Sequence, residues 1–350
     1  MKIGILLPNW VGDTVMATPT LRAIHKRFRS EAEIACIMRP PMTEILAGAD
    51  WFDHAFYCDR RSDQPELGTR ELLRRLRAWK PDSLVLLTNS FWAGALAWLS
   101  GARQRIGYAR NGRGPLLTKA LLAPRSGRTR IPIPATEYYL KLAYALGCPA
   151  EPPQTELATL PRDEAVADRV WHKLGLNQER RVVVFNTGSA VGSAKSWPTE
   201  HYVSLARLTV ADPQVAVLVI CGPAEREAAR AIEQAANHPR VKSLPGQDIG
   251  LGVSKACVRR SGVMVTTDSG LRHFALAFGV PVITLFGPTD PRWIDSRNPL
   301  ATNMVHPVDC GPCGKSVCPL AHHRCMRDLS VDRVSDSLQR LLSLDRRQSA

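Results

Sequence analysis

Short, wholly apolar runs alternate along this chain with longer segments in which apolar residues return every three or four positions. Residues 2–7, 33–38 and 84–87 read as buried strands, and residues 14–28, 70–79 and 91–100 as amphipathic helices. Strand and helix in turn is the βαβ rhythm of a parallel sheet. A basic stretch rich in glycine and proline, residues 107–134, reads as loops, and residues 137–146 as a helix. After a surface connection at 148–153 and a helix at 163–174, the rhythm restarts. Strands are predicted at 181–186, 216–221, 263–266 and 282–286, helices at 200–209, 224–236 and 271–278. Val334, Leu338, Leu341 and Leu342 form a helical stripe in a last helix over 331–344. The pattern predicts an α/β protein of two tandem doubly wound domains, residues 1–165 and 166–328, followed by a C-terminal helix at 329–350.

Each half carries a strand that runs into a glycine-containing turn with a carboxylate. Asn9-Trp10-Val11-Gly12-Asp13-Thr14 follows the first strand, and Thr267-Asp268-Ser269-Gly270-Leu271-Arg272-His273 follows residues 262–265. In an open α/β sheet such turns lie at the carboxyl ends of strands, where ligands bind. One turn per half points to a two-domain enzyme with a cleft between the domains. Asp13 at a helix start stays ionised, available as a base, or else caps the helix. Thr187-Gly188-Ser189 and Lys195 follow another strand, and a small hydroxyl-rich turn with a lysine suits an anion. No GxxxxGK[ST] is present and no GxGxxG follows a strand, so a P-loop or a dinucleotide-dependent dehydrogenase loses support. Ser269 and the backbone beside Asp268 could hold a diphosphate while Asp268 meets sugar hydroxyls.

Composition narrows the picture. No apolar run is long enough to span a bilayer and the N-terminal run is too short for a signal peptide, so a cytoplasmic protein is expected. The formal net charge is +14, and residues 103–141 hold nine Lys or Arg against one acid, Glu137. Such a block favours a polyanionic partner, and without aromatic–basic interleaving or a helix-turn-helix it does not single out nucleic acid. Of nine cysteines, Cys36, Cys58, Cys148, Cys221 and Cys257 stand apart as small core residues. Cys310, Cys313, Cys318 and Cys325, with His322 and His323 among them, cluster in a polar loop after Pro307. In a reducing compartment they suggest a structural zinc that tethers the loop, with redox pairing or free thiols as the other readings.

Several stretches, taken in order, carry a resemblance. They are Pro8 to Asp13 with Met16-Ala17-Thr18-Pro19, Gly188 through Lys195-Ser196-Trp197-Pro198, Thr267 to His273, and Leu285-Phe286-Gly287-Pro288-Thr289-Asp290. Together they resemble the glycosyltransferase family that contains the ADP-heptose:lipopolysaccharide heptosyltransferases, glycosyltransferase family 9. The resemblance covers nearly the whole chain. It implies a GT-B fold and an inverting transferase that moves L-glycero-D-manno-heptose from ADP-heptose onto the lipopolysaccharide inner core, needing no cofactor. The N-terminal domain would take the acceptor and the C-terminal domain the nucleotide-sugar. Asp13 falls on the general base, with Asn9, Trp10, Arg128 and Arg130 on the acceptor side. Thr187, Gly188, Lys195, Asp268, Ser269, Gly270 and His273 fall on the donor side, and so does Glu225, for which Glu227 competes. The basic block would then meet an anionic, lipid A-linked oligosaccharide at the inner face of the cytoplasmic membrane. A related transferase with another sugar or acceptor remains open; an inactive binding protein is disfavoured by the intact Asp13, Lys195 and Asp268.

Overall fold

The computed structural model describes the chain except residues 128, 179–180, 189–191, 245–249, 295–297 and 349–350, with side chains as far as 343. The chain forms two compact units, Met1–Ala158 with Arg292–Ser296, and Thr159–Pro291 with Arg297–Ala350.

The first unit runs β1 (Lys2–Leu6), α1 (Val11–Met16), α2 (Thr18–Phe28), β2 (Glu33–Met38), α3 (Met42–Leu46), β3 (His54–Tyr57), α4 (Thr69–Trp79), β4 (Ser83–Leu86), α5 (Phe91–Leu99), β5 (Gln104–Tyr108), β6 (Lys119–Leu121), a small antiparallel pair β7 (Arg125–Ser126) and β8 (Thr129–Arg130), and α6 (Ala135–Leu146). Its sheet is parallel in the order β3-β2-β1-β4-β5-β6. β1 lies between β2 and β4, and Ile3, Ile5 and Leu6 are buried, as a strand covered on both faces requires. The single helix expected at 14–28 divides into α1 and α2 at Ala17. Pro19 has no N–H to continue the ladder, and Thr18 Oγ1 donates to the Val15 carbonyl at 2.8 Å.

The second unit runs α7 (Pro161–Lys173), β9 (Arg181–Asn186), α8 (Thr199–Thr209), β10 (Val215–Ile220), α9 (Arg226–Ala236), β11 (Val241–Ser243), α10 (Leu251–Arg259), β12 (Val263–Thr267), α11 (Arg272–Ala277), β13 (Val282–Phe286), β14 (Ala301–Val305), α12 (Arg324–Arg327) and α13 (Val331–Gln348). Its parallel sheet repeats the first, β11-β10-β9-β12-β13-β14. The stripe read from the last helix is a core stripe: Val334, Leu338 and Leu342 pack with Val183, Phe185 and Leu205.

Candidate active site

In each sheet the chain order reverses beside the first strand, between β1 and β4 and between β9 and β12. Ligands of open α/β sheets bind outside the carboxyl ends of strands at that point. Every loop-borne donor or base residue expected from the sequence leaves one of these strands or a neighbour.

In the first unit, β1 leads through Asn9 and Trp10 into α1, with Asp13 in its first turn. Asp13 Oδ1 accepts a 2.8 Å hydrogen bond from the Tyr139 hydroxyl of α6. Tyr139 is buried, and its phenol is pushed well above its ordinary value, first by burial and then by the charge and hydrogen bond of Asp13. It therefore keeps its proton and acts as a donor. From the end of β4, Asn89 Oδ1 accepts from the Tyr138 hydroxyl at 3.1 Å and from Arg113 Nη2 at 3.2 Å. Arg113 is fully buried; its Nε donates to the Tyr108 carbonyl at 2.9 Å and its Nη1 to the Thr88 carbonyl. Burial lowers its pKa to about 10, which leaves it cationic near neutral pH. Tyr138 stacks on Tyr108 with ring centroids 3.8 Å apart. Two consecutive tyrosines of α6 thus tie Asp13 to the end of β4. The local sequence pattern gives no role to Tyr138, Tyr139, Asn89 or Arg113, whose partners lie on other segments of the unit.

Where β1 runs towards α1, a cavity of about 390 Å³ is lined by Asn9, Trp10, Arg39, Arg60, Arg61 and Trp92, among others. Arg39 holds Asp59 in an ion pair at 2.8 Å, and Arg60 lies over the Trp92 ring at 5.1 Å. These arginines lie outside the basic block singled out by composition. Within that block, Arg105, Arg113 and Lys119 donate to backbone carbonyls, so part of its charge supports local structure. Arg130 stands over Trp293 at 5.7 Å, and Arg128 lies outside the described residues.

In the second unit, Asn186 closes β9 and joins it to β12. Its Nδ2 donates to Thr266 Oγ1 at 2.8 Å and to Ser269 Oγ at 2.7 Å. Thr267 Oγ1 donates to the Gly188 carbonyl at 3.1 Å, and the Thr187 hydroxyl is buried with no hydrogen-bond partner among the described residues. Lys195 Nζ meets Asp268 Oδ2 at 2.5 Å, and Thr289 Oγ1 donates to the same oxygen at 2.7 Å. Burial would raise the Asp268 pKa, but Lys195 and Thr289 outweigh it and hold the carboxyl below its ordinary value. Gly270 accepts the His273 backbone N–H at 3.2 Å. The His273 imidazole is lowered to about 3 by burial, then by Arg272, with Asp268 opposing, so it is neutral. A Cβ at Gly222 would stand 2.7 Å from Glu225 Oε2 and one at Gly188 3.7 Å from the same carboxylate. Glu225 therefore lies across the ends of β9 and β10, whereas Glu227 is exposed on α9.

A model of glycosyltransferase family 9 (heptosyltransferase) matches residues 69–323. The chain belongs to that family. Over 359 aligned residues it is 26% identical to lipopolysaccharide heptosyltransferase 2 of Escherichia coli (strain K12), spanning 98% of this chain and 99% of that protein. The structure of E. coli ADP-heptose lps heptosyltransferase II superimposes with a TM-score of 0.79 at 24% identity, covering 99% of this chain and 100% of the other. E. coli heptosyltransferase WaaC with ADP-2-deoxy-2-fluoro heptose gives 0.71 at 19% identity, covering 97% and 99%. These two likenesses bear on the fold. The GT-B expectation and the resemblance to family 9 both hold, and this family 9 protein is a glycosyltransferase.

The four clustered thiols of this glycosyltransferase, Cys310, Cys313, Cys318 and Cys325, line one small cavity with His322 and His323. Cys325 is raised by burial and then by the other three thiols; Cys318 is lowered, mainly by the His323 backbone N–H and further by those of Leu320, His322 and Ala321. As they stand, no three or more His, Cys, Asp or Glu among the described residues are arranged to hold a metal ion. The loop rests on the turn that carries Lys195: Ala194 N–H donates to the Ser316 carbonyl at 3.0 Å, and Gly314 N–H to the Pro288 carbonyl at 2.7 Å. Gly192, with φ 105°, leaves room for that same Ser316 carbonyl, which a Cβ would strike. Cys36, Cys58, Cys148 and Cys257 are buried and Cys221 half-buried, as isolated core thiols should be.

Proposed function

We propose that this protein transfers L-glycero-D-manno-heptose from ADP-heptose to a hydroxyl of the lipid A-linked inner core, with inversion, as a type II heptosyltransferase. The observation that carries the reading is the pair of switch-point turns: a carboxylate oriented by Tyr139 in one unit, and an anion-friendly turn with Lys195 in the other. The acceptor oxygen attacks the anomeric carbon, the bond from that carbon to the diphosphate breaks, and the hydroxyl proton passes to Asp13. ADP leaves with the bonding electrons. Lys195 and the backbone about Thr187, Gly188, Ser269 and Gly270 offset the charge on the leaving diphosphate. Asp268, which shares Lys195, and neutral His273 orient the sugar, and Glu225 meets the ribose. This chemistry asks for no metal.

The acceptor's phosphates and carboxylates are assigned to the arginine cavity beside Asn9 and Trp10, with Arg128 and Arg130 further along the same unit. Among the described residues no helix is long and apolar enough to cross a membrane. The enzyme works as a peripheral protein at the cytoplasmic face of the inner membrane, where its lipid-linked acceptor lies. The four thiols, which line one cavity, would hold one structural zinc, the donor set and the polar loop both suiting it.

Asp13→Asn tests the reading. Turnover of ADP-heptose with a core acceptor should fall by about 10²–10⁴, with ADP affinity unchanged. Near-wild-type turnover would return Asp13 to a helix-capping role.

A further inference from the structure

α4 and α5 lie side by side on one face of the first sheet. Trp92 Nε1 donates to Thr69 Oγ1 at 3.3 Å near their starts, and Arg77 Nε to the Leu99 carbonyl at 2.9 Å near their ends, so the helices run parallel. Their inner residues, Leu72 and Leu76 with Ala93, Leu96 and Ala97, share one core.

The outer faces are unusual. α5 (FWAGALAWL) has no charged residue, and Phe91, Ala95 and Trp98 follow one another at i, i+4 and i+7 with Leu99 beside them. Phe91 is 56% exposed, Trp98 57% and Leu99 40%. A stripe at this spacing is ordinarily the buried face, and a helix apolar all round belongs in a core or against lipid. α4 repeats the spacing with cations: Arg70, Arg74 and Arg77 are all exposed. Its one acid, Glu71, is engaged by Arg74 at 2.6 and 2.8 Å. A row of three arginines therefore flanks an exposed aromatic row.

We infer that this face docks on an anionic phospholipid bilayer, with Phe91, Trp98 and Leu99 at the headgroup–acyl boundary and Arg70, Arg74 and Arg77 on lipid phosphates. Aromatic side chains favour that boundary, and a basic residue near an anionic surface strengthens binding by about fivefold. Three large side chains fall short of the roughly 800 Å² per partner of a stable protein interface, but with three cations they suffice for a reversible membrane contact. Position supports the same occupant. Ser90 and Trp92, which flank Phe91, line the arginine cavity, so a lipid-linked acceptor would enter at the end of α5 that meets the membrane. Only this last point rests on the proposed function.

The test is co-sedimentation of the full chain with phosphatidylethanolamine–phosphatidylglycerol vesicles and with phosphatidylcholine vesicles. Binding is expected to the anionic vesicles and to weaken with salt. Phe91→Ser with Trp98→Ser should lower it by about tenfold or more, and Arg70→Gln, Arg74→Gln and Arg77→Gln by about fivefold each. Both sets should still unfold cooperatively and keep turnover on a deacylated acceptor in solution, while losing turnover on a vesicle-embedded acceptor. Vesicle binding absent from the wild type, or equal in the variants, overturns the inference. So does self-association of the wild type that Phe91→Ser with Trp98→Ser abolishes, which would assign the face to a second copy. If the variants lose vesicle binding but no protein transfers heptose to either acceptor, the docking face stands and the proposed function falls.

Discussion

Tyr139 donates its hydroxyl hydrogen to Asp13 Oδ1 at 2.8 Å across 126 residues of chain. A carboxylate that accepts such a bond is favoured in its charged form and fixed in direction. Tyr139→Phe removes the bond and little else, so Asp13 should hold its proton to higher pH. The acid limb of the kcat/KM profile is expected to move upward, and turnover near neutrality to fall about tenfold, the worth of a hydrogen bond to a charged group. A lower turnover with an unmoved pH profile would mean that Tyr139 only packs.

Arg60 and Arg61 are exposed at the cavity lined by Asn9 and Trp10, and Arg60 is oriented by Trp92. Replacing both by glutamine should raise the acceptor's KM about tenfold and flatten its dependence on ionic strength, since exposed charge attraction is screened by salt. The KM for ADP-heptose should not change. Equal effects on both substrates would contradict the assignment of this cavity to the acceptor.

His273 gives a pH dependence whose sign is fixed by its burial. The folded protein keeps the imidazole neutral down to about 3, whereas in the unfolded chain it takes a proton at its ordinary value of about 6.5. Below about pH 6.5 the unfolded state therefore binds more protons, and stability falls as pH drops. His201, also lowered by burial, acts in the same direction. Thermal unfolding followed from about pH 8 to 5 should show a declining midpoint, with a shallower decline in His273→Gln. An identical slope in the variant would show that the acid sensitivity arises elsewhere.

Ala194 and Gly192, next to Lys195, lean on the Ser316 carbonyl in the cysteine loop. Loss of the proposed zinc should therefore loosen the Lys195 turn as well as the loop. Elemental analysis is expected to find about one zinc per chain, absent from Cys313→Ser, which should melt at lower temperature and bind ADP more weakly. Metal-free protein with four titratable thiols and the melting temperature of the wild type would exclude the site.

The sequence by itself determined the two tandem α/β halves, because strands buried on both faces must be continuously apolar and their covering helices must show a 3.6-residue period. β2, β9 and β13 have the bounds that pattern predicts. It also marked the turns bearing Asp13, Lys195 and Asp268, since a glycine, a hydroxyl or a charge directly after an apolar run stands out locally. Elements with weak patterns escaped it. β3 and β11 are short, β14 is only partly buried, and α10 hides its apolar face by burying Lys255 and Ser254. The tertiary structure alone decided which residues support the turns. Tyr139 reaches Asp13 from α6, Asn186 joins Ser269 across the switch point, and Thr289 adds to the hold on Asp268. It also decided that Arg113 is a buried strut and that the aromatics of α5 face outward. Each of these depends on which strands become neighbours, and periodicity along the chain records only whether a residue is covered, not by what.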